Sequence, residues 1–363
     1  MRRGVAKEEC RLRAKYISLT WALLAFGLTS HCLADDTFLG ASAQGAYPLS
    51  SKDIALVLER VSVVLSRRSA EVDCVFVFRN NGPAQEALIG FPEGPLPGPE
   101  QRGDTRLHSF RAWVEGRRVS VRIQPASAPG RAIPGLRVTR WHTFRVRFAR
   151  GQVRTVRNCY WVHPSEHSLG GVRFNYILTT ARTWKDEKIG QAQIRVRLAD
   201  LDRGKSDLIA GLALVRPDGY RLGRNSISWQ LSDFVPTEDV QIAYEARLRH
   251  WRARLARVSD SAEQGNLKLL IGEVLFNYDA DKARIAFGRA LQLATSDSRR
   301  AACEFWIGKC YEKDANRSLA LQHYDQAIKL DPQGQWGEQA RSVAQALRLH
   351  QKNKIPSLKE ENQ

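Results

Sequence analysis

The string His163-Pro164-Ser165-Glu166-His167 is the most enzyme-like in the chain. On a helix, imidazoles four residues apart would share one face. Both would reach one zinc ion, and the carboxylate between them would activate its water for hydrolysis. The setting argues for something plainer. The string follows the strand-like Cys159-Tyr160-Trp161-Val162, contains a proline and runs into Ser168-Leu169-Gly170-Gly171, so a polar loop is expected. A metal-dependent hydrolase using His163, Glu166 and His167 stays only as an alternative. The chain has no nucleophile elbow, Walker A loop, dinucleotide fingerprint or Cys-x-x-Cys pair, so no catalytic residue and no cofactor is assigned.

A second chemistry is anion binding. The 56 Lys+Arg against 38 Asp+Glu give a formal charge of +18, and 42 of the basic residues are arginine. The excess is spread as +4 over residues 1–34, +9 over 35–240 and +5 over 241–363. Without a concentrated basic tail, nucleic acid is not the expected partner. Arg145 and Arg147, like Arg195 and Arg197, alternate with apolar residues, so each pair should project from the solvent side of a strand. Neighbouring strands would join them into a patch for an anionic envelope polymer. The plain alternative is a solvated sheet face, because arginine is abundant throughout.

The envelope enters through residues 1–34. Six basic side chains precede an apolar run at 17–28, and Cys32-Leu33-Ala34 leads into Asp35. This is the layout of a secretory signal peptide cleaved after Ala34, which makes the mature chain periplasmic or extracellular. The alternative is an uncleaved anchor, since 16–33 lacks Lys, Arg, Asp and Glu. No multi-span membrane region is expected. Export makes cysteine pairing relevant. Cys74 and Cys159 fall on separate expected strands and form a candidate disulfide between two sheets, with two buried thiols as the alternative. Cys303 and Cys310 lie seven apart on one expected helix, about 10 Å between Cα atoms, beyond disulfide reach. They read as buried small apolar residues.

These groups must be positioned by two kinds of element. From residue 54 to about 244 the pattern has period two: Val72, Cys74, Phe76 and Phe78, then Phe144, Val146 and Phe148, then Ile194, Val196 and Leu198. Turn signals at Glu115-Gly116, Arg150-Gly151 and Pro217-Asp218-Gly219 separate the runs, and the expected fold is an all-β antiparallel β-sandwich, or two small ones in tandem. Residues 91–104, with four prolines, are expected as a surface loop. After Pro236 the period becomes helical. Leu248, Trp251, Leu255 and Val258 form a docking stripe, and Arg247, Arg249, Arg252, Arg254 and Arg257 are expected to stay in water.

The C-terminal third repeats itself: Ala320, Tyr324 and Ala327 recur 37 residues earlier as Ala283, Phe287 and Ala290. With Ile307, Gly308, Tyr311 and Pro332 this resembles the tetratricopeptide repeat, whose small and large residues interlock antiparallel helices. Glu304 departs from that pattern, and Gly272 is one place out of register. About three repeats are needed for a stable stack, so these helices must lean on a neighbouring element. Upstream, Phe76-Val77-Phe78-Arg79-Asn80 leading to Phe91-Pro92, Trp141 to Gly151, and Tyr176-Ile177-Leu178-Thr179 through Trp184 to Ile189-Gly190 resemble an exported bacterial family of unknown function. That resemblance implies a periplasmic or surface β-domain and supplies no catalytic residues.

The expected organisation is a signal peptide at 1–34, a β-sandwich at 35–240, a basic linking helix at 241–262, a tetratricopeptide-like helical domain with a cap helix at 263–350, and a flexible tail at 351–363. The expected function is non-enzymatic: a scaffold that holds another protein or peptide through the repeats.

Overall fold

Alternation decides which side of a strand is buried and leaves the direction of its neighbour open. There the expected sandwich fails. The computed structural model describes residues 42–43, 46–48, 53–93, 106–125, 138–166 and 171–352. The signal segment with its cleavage point after Ala34, His167 and residues 353–363 of the expected tail lie outside the described residues.

The chain runs through β1 (Ser42–Ala43), β2 (Tyr47–Pro48), β3 (Ile54–Leu65), β4 (Ala70–Asn80), β5 (Gln85–Glu93), β6 (His108–Val114), β7 (Arg117–Val119), β8 (Arg122–Pro125) and β9 (Arg140–Phe148). It continues with β10 (Val153–Val162), β11 (Ser165–Glu166), β12 (Val172–Tyr176), β13 (Lys185–Leu198), β14 (Leu212–Arg216), β15 (Arg221–Leu222), β16 (Ser226–Phe234) and β17 (Val240–Tyr244). Helices α1 (Ala246–Leu255), α2 (Ser261–Phe276), α3 (Ala280–Leu293), α4 (Asp297–Lys313), α5 (Arg317–Leu330) and α6 (Gln335–Lys352) follow.

The largest sheet has eight strands in the order β15-β16-β13-β3-β4-β10-β6-β7. Strand β13 returns beside β3 in parallel, and β1 pairs with β12 in parallel as well. The sheet is therefore mixed, and with six helices after it the fold is α/β; the antiparallel sandwich is overturned. One face of the mixed sheet shares a core with the β2-β5-β9-β8 sheet and the sheet containing β12 and β17, joining Val61, Phe76, Val156 and Ile194 to Phe91, Phe144 and Phe174. The other face carries exposed side chains such as Arg60, Ser62, Arg195 and Arg197.

A bulge sets the alternation on β3. The register with β4 slips between Leu56 and Leu58, leaving Val57 as an extra residue. Beyond it Glu59, Val61 and Val63 point inward, while Arg60 and Ser62 point out. The bulge also explains Gly190 on the neighbouring strand: a Cβ there would lie 2.6 Å from the Val57 carbonyl oxygen.

Two more expectations are corrected. Residues 91–93 are strand, with Phe91 opposite His142 and Pro92 opposite Trp141. On the far side β2 reaches only Ile89 and Gly90, so no described neighbour needs the N–H that Pro92 lacks. Cys74 and Cys159 are free thiols on adjacent strands of one sheet, facing Asn158 and Asp73 respectively. They therefore point to opposite faces, and no bridge can form.

Helices α2 to α5 each start where a capping side chain accepts an amide of the first turn: Asp260 from Glu263, Asp279 from Lys282, Ser296 from Arg299 and Asn316 from Leu319. The two hairpins interlock alike. A Cβ on Gly272 would fall 2.4 Å from the Phe287 ring, and one on Gly308 would fall 2.7 Å from the Tyr324 ring. The stack leans on the sheet through Leu248, Ile271 and Leu275, which share a cluster with Ala213 and Ala243, and it is closed at the other end by Ala340 and Ala344 of α6. Among the described residues no helix is long and apolar enough to cross a membrane.

The arginines of α1 do not all stay in water. Arg252 is half-buried and donates to the carbonyls of Ala210 (2.9 Å) and Leu212 (2.8 Å), and Arg249 donates to Asp202 at 2.5 Å. Burial lowers the pKa of Arg252. The helix is clamped because the last turn before β14 offers two carbonyls where its polar face passes.

Candidate functional site

The outer row of the mixed sheet reads, strand by strand, Arg221, Ser228, Arg195, Ser62, Asp73, Cys159 and Arg111. The adjacent row reads Gln230, Gln193, Arg60, Val75, Arg157, Trp113 and Arg118. With strands about 4.8 Å apart, register alone lays a band of arginine and small polar residues across the sheet.

Partners then divide the band. In its middle Asp73 takes Arg157 in a two-pronged ion pair, Nε to Oδ1 at 2.9 Å and Nη2 to Oδ2 at 2.5 Å, and the guanidinium also lies 5.4 Å from the Trp113 ring centre. Towards β15 the sheet dips into a groove of about 440 Å³ lined by Arg60, Arg195 and Arg221, by Ser62, Ser226 and Ser228, and by Gln193 and Gln230. Among the described residues no carboxylate lines it. Arg60 Nε donates to Gln193 Oε1 at 3.1 Å. The β15–β16 turn that presents Arg221 is held by Gly223 N–H to Ser226 O (2.7 Å), and Asn225 ties the same turn to Leu198 and Leu208.

The four arginines expected to form one patch are thus divided between two sheets. Arg195 lines the groove and Arg197 lies one step along the same face of β13. Arg145 and Arg147 belong to β9, in a different sheet, where both stand within 4 Å of the Glu86 carboxylate. Arg60 and Arg221 were missed for physical reasons. The bulge hides the alternation that points Arg60 outward, and a two-residue strand shows no period.

His163 sits in an extended connection, its Nδ1 2.9 Å from the Arg68 carbonyl oxygen and its ring against Trp161 and His108. Glu166 lies on β11 beside Arg67, 3.7 Å away. The two are not on a helix, and among the described residues no three His, Cys, Asp or Glu side chains gather as a metal site.

Two buried ionisable clusters went unnoticed in the sequence. Glu59 accepts from Tyr176 Oη at 2.7 Å, and that hydroxyl is 3.4 Å from Cys74 Sγ; burial without a cation raises the Glu59 carboxyl to about 7. Glu93 bonds Arg140 at 2.5 Å and His142 at 2.7 Å. Burial pushes the Glu93 carboxyl up, but these two partners outweigh it and hold it below its usual value. Both clusters face the protein interior. Cys303 and Cys310 are buried, which pushes each thiol up to about 12 and keeps it unreactive.

No family model matches the chain, and no curated protein matches it. Among solved structures, a Legionella pneumophila protein with a provisional nutrient-binding designation aligns at 16% identity over 78% of this chain and 99% of its own, with a TM-score of 0.44. Legionella pneumophila aminopeptidase A in complex with aspartic acid aligns at 8% identity over 55% of this chain and 23% of its own, TM-score 0.27. Yeast LTA4 hydrolase in complex with bestatin aligns at 6% over 82% and 62%, TM-score 0.28. At these values none transfers a site or an activity.

Proposed function

We propose that this chain is an exported, non-enzymatic binding protein that holds an anionic polymer across the exposed face of its mixed sheet. The observation that carries this reading is the partner pattern. Arg145 and Arg147 on β9, Arg157 on β10 and Arg249 on α1 each stand against a carboxylate, whereas Arg60, Arg195 and Arg221 converge on a groove to which no described residue brings one. Arg111 and Arg118 continue the band on the far side of the Asp73–Arg157 pair, roughly 20 Å from Arg195 by strand spacing. A ligand that engages both ends must be extended.

The test is binding of labelled dextran sulfate, with uncharged dextran as control, at low and moderate salt. The expected result is salt-sensitive binding of the sulfated polymer, lost in the triple variant Arg60→Gln, Arg195→Gln, Arg221→Gln and retained in Arg145→Gln with Arg147→Gln. Equal loss in both variants, or binding of uncharged dextran, would overturn the reading.

A second reading rests on the repeated Gly–aromatic interlock of the two hairpins. It supports the tetratricopeptide-like assignment of α2 to α6 and, with it, recruitment of another protein by the stack. A partner taken from envelope extract and kept at high salt, where a polyanion is released, would favour this reading over the first.

A further inference from the structure

The groove offers more than positive charge. Arg60 occupies the side-chain oxygen of Gln193, which leaves the Gln193 amide N–H groups for a ligand. Arg195 and Arg221 can only donate, and the serine hydroxyls turn to donate where an acceptor arrives. A site made of donors selects a group made of acceptors. Three guanidinium groups line it, with no carboxylate among the described residues. One carboxylate would leave much of that charge unmatched, while a phosphoryl group carries up to about two negative charges and three acceptor oxygens. Volume adds the last constraint. At about 440 Å³ the groove falls within the range of small-molecule sites and is larger than one oxyanion needs. On the remaining wall Ser62, Ser226, Ser228 and Gln230 can bond hydroxyl groups, and the exposed Leu222 side chain offers a contact for the carbon skeleton that carries them.

We infer that the groove is a phosphoryl-polyol site, taking a phosphate group carried on a hydroxyl-rich unit. This rests on the reading of the exposed face as an anion-binding surface and narrows its ligand from any polyanion to one whose repeat or terminus bears phosphate. Arg195 and Arg221 grip the phosphoryl oxygens, and the serine and glutamine side chains bond the polyol.

Calorimetry on the full chain with glycerol 3-phosphate, inorganic phosphate, acetate and glycerol tests it. Glycerol 3-phosphate should bind more tightly than phosphate and at least about tenfold more tightly than acetate. Arg195→Gln or Arg221→Gln should weaken it about tenfold, and Arg195→Lys, which keeps the charge but loses the planar fork, should weaken it less. Arg145→Gln should leave it unchanged. Competition by poly(glycerol phosphate) would assign the phosphoryl group to a polymer, and competition by phosphatidylglycerol vesicles alone to a lipid headgroup. Acetate bound as tightly as glycerol 3-phosphate, while dextran sulfate still depends on the three arginines, would overturn the phosphoryl inference and spare the anionic face. Dextran sulfate ignored while glycerol 3-phosphate binds would do the reverse.

Discussion

Arg252 and Arg195 are the same side chain in opposite situations. Arg252 leaves α1 half-buried and commits its Nη1 group to two backbone carbonyls, which holds the helix against the sheet. Arg195 stands exposed on β13 in a groove to which no described residue brings a carboxylate. In a chain with 42 arginines, composition cannot separate the two roles. The partners can: where the protein itself supplies the acceptors, arginine is structural, and where it supplies only more donors, the acceptors must come from elsewhere.

The sharpest way to break that contrast is to remove each guanidinium in turn. Arg252→Ala leaves the carbonyls of Ala210 and Leu212 without their charged donor and opens the α1 seam, which should cost about 3 to 4 kcal/mol in urea denaturation. Arg195→Ala should stay within about 0.5 kcal/mol of the parent, because the side chain is exposed and, among the described residues, none bonds it. If Arg195→Ala proves as damaging as Arg252→Ala, the groove is part of the fold and not a ligand site.

Glu59 extends the comparison to a buried acid without a cation. Its folded-state pKa, about 7, lies above the ordinary 4.5, so the folded state holds the proton more tightly. The stability this contributes is complete below pH 4.5 and is lost as pH rises through 7, amounting to roughly 3 kcal/mol. Glu59→Gln should therefore match the parent near pH 4.5 and exceed it by roughly 3 kcal/mol at pH 8. Parallel pH profiles for the two proteins would show that Glu59 finds a counter-charge after all.

The seam can also be probed without touching charge. In Gly308→Ala a helix-propensity gain of about 1 kcal/mol opposes a clash with the Tyr324 ring of roughly 2 to 3 kcal/mol. A net loss of about 1 to 2 kcal/mol is expected by thermal unfolding, and Gly272→Ala against Phe287 should behave alike. A stabilised Gly308→Ala would mean that the two hairpins do not depend on the interlock.

Much of this division was legible in the sequence, within limits that physics explains. Period two showed which of Val72, Cys74, Phe76 and Phe78 turn inward, and all four are buried. Ala283, Phe287, Ala290, Ala320, Tyr324 and Ala327 were marked by spacing and are buried too. Gly272, apparently one residue out of register, meets Phe287 as Gly308 meets Tyr324, because α4 runs one residue further past its glycine than α2 does. Partner identity was not legible. Alternation is the same in parallel and antiparallel sheets, so the pairing of β13 with β3 could not be foreseen. For the same reason Cys74 and Cys159 were assigned to facing sheets, and Arg145 and Arg147 to the wrong patch. Arg252 looked like any solvated helix arginine, since the carbonyls it reaches come from a turn about 40 residues earlier.

The smallest effect is the most telling about the two sheets. Arg147 on β9 is 87% exposed and its guanidinium is 3.6 Å from Glu86, an arrangement typical of surface pairs that contribute little. Arg147→Gln should change stability by no more than about 0.5 kcal/mol. It should also leave dextran sulfate binding and its salt dependence unaltered, because Glu86 already answers the charge. Arg195→Gln, equally harmless to the fold, should lower the salt slope of binding as well as the affinity, since each arginine that engages the polymer's anionic groups releases cations condensed on the polymer, and Arg147, beside Glu86, is not expected to engage them. Matching the two variants in stability while separating them in salt slope isolates the partner as the variable, with residue type, exposure and strand setting held nearly constant.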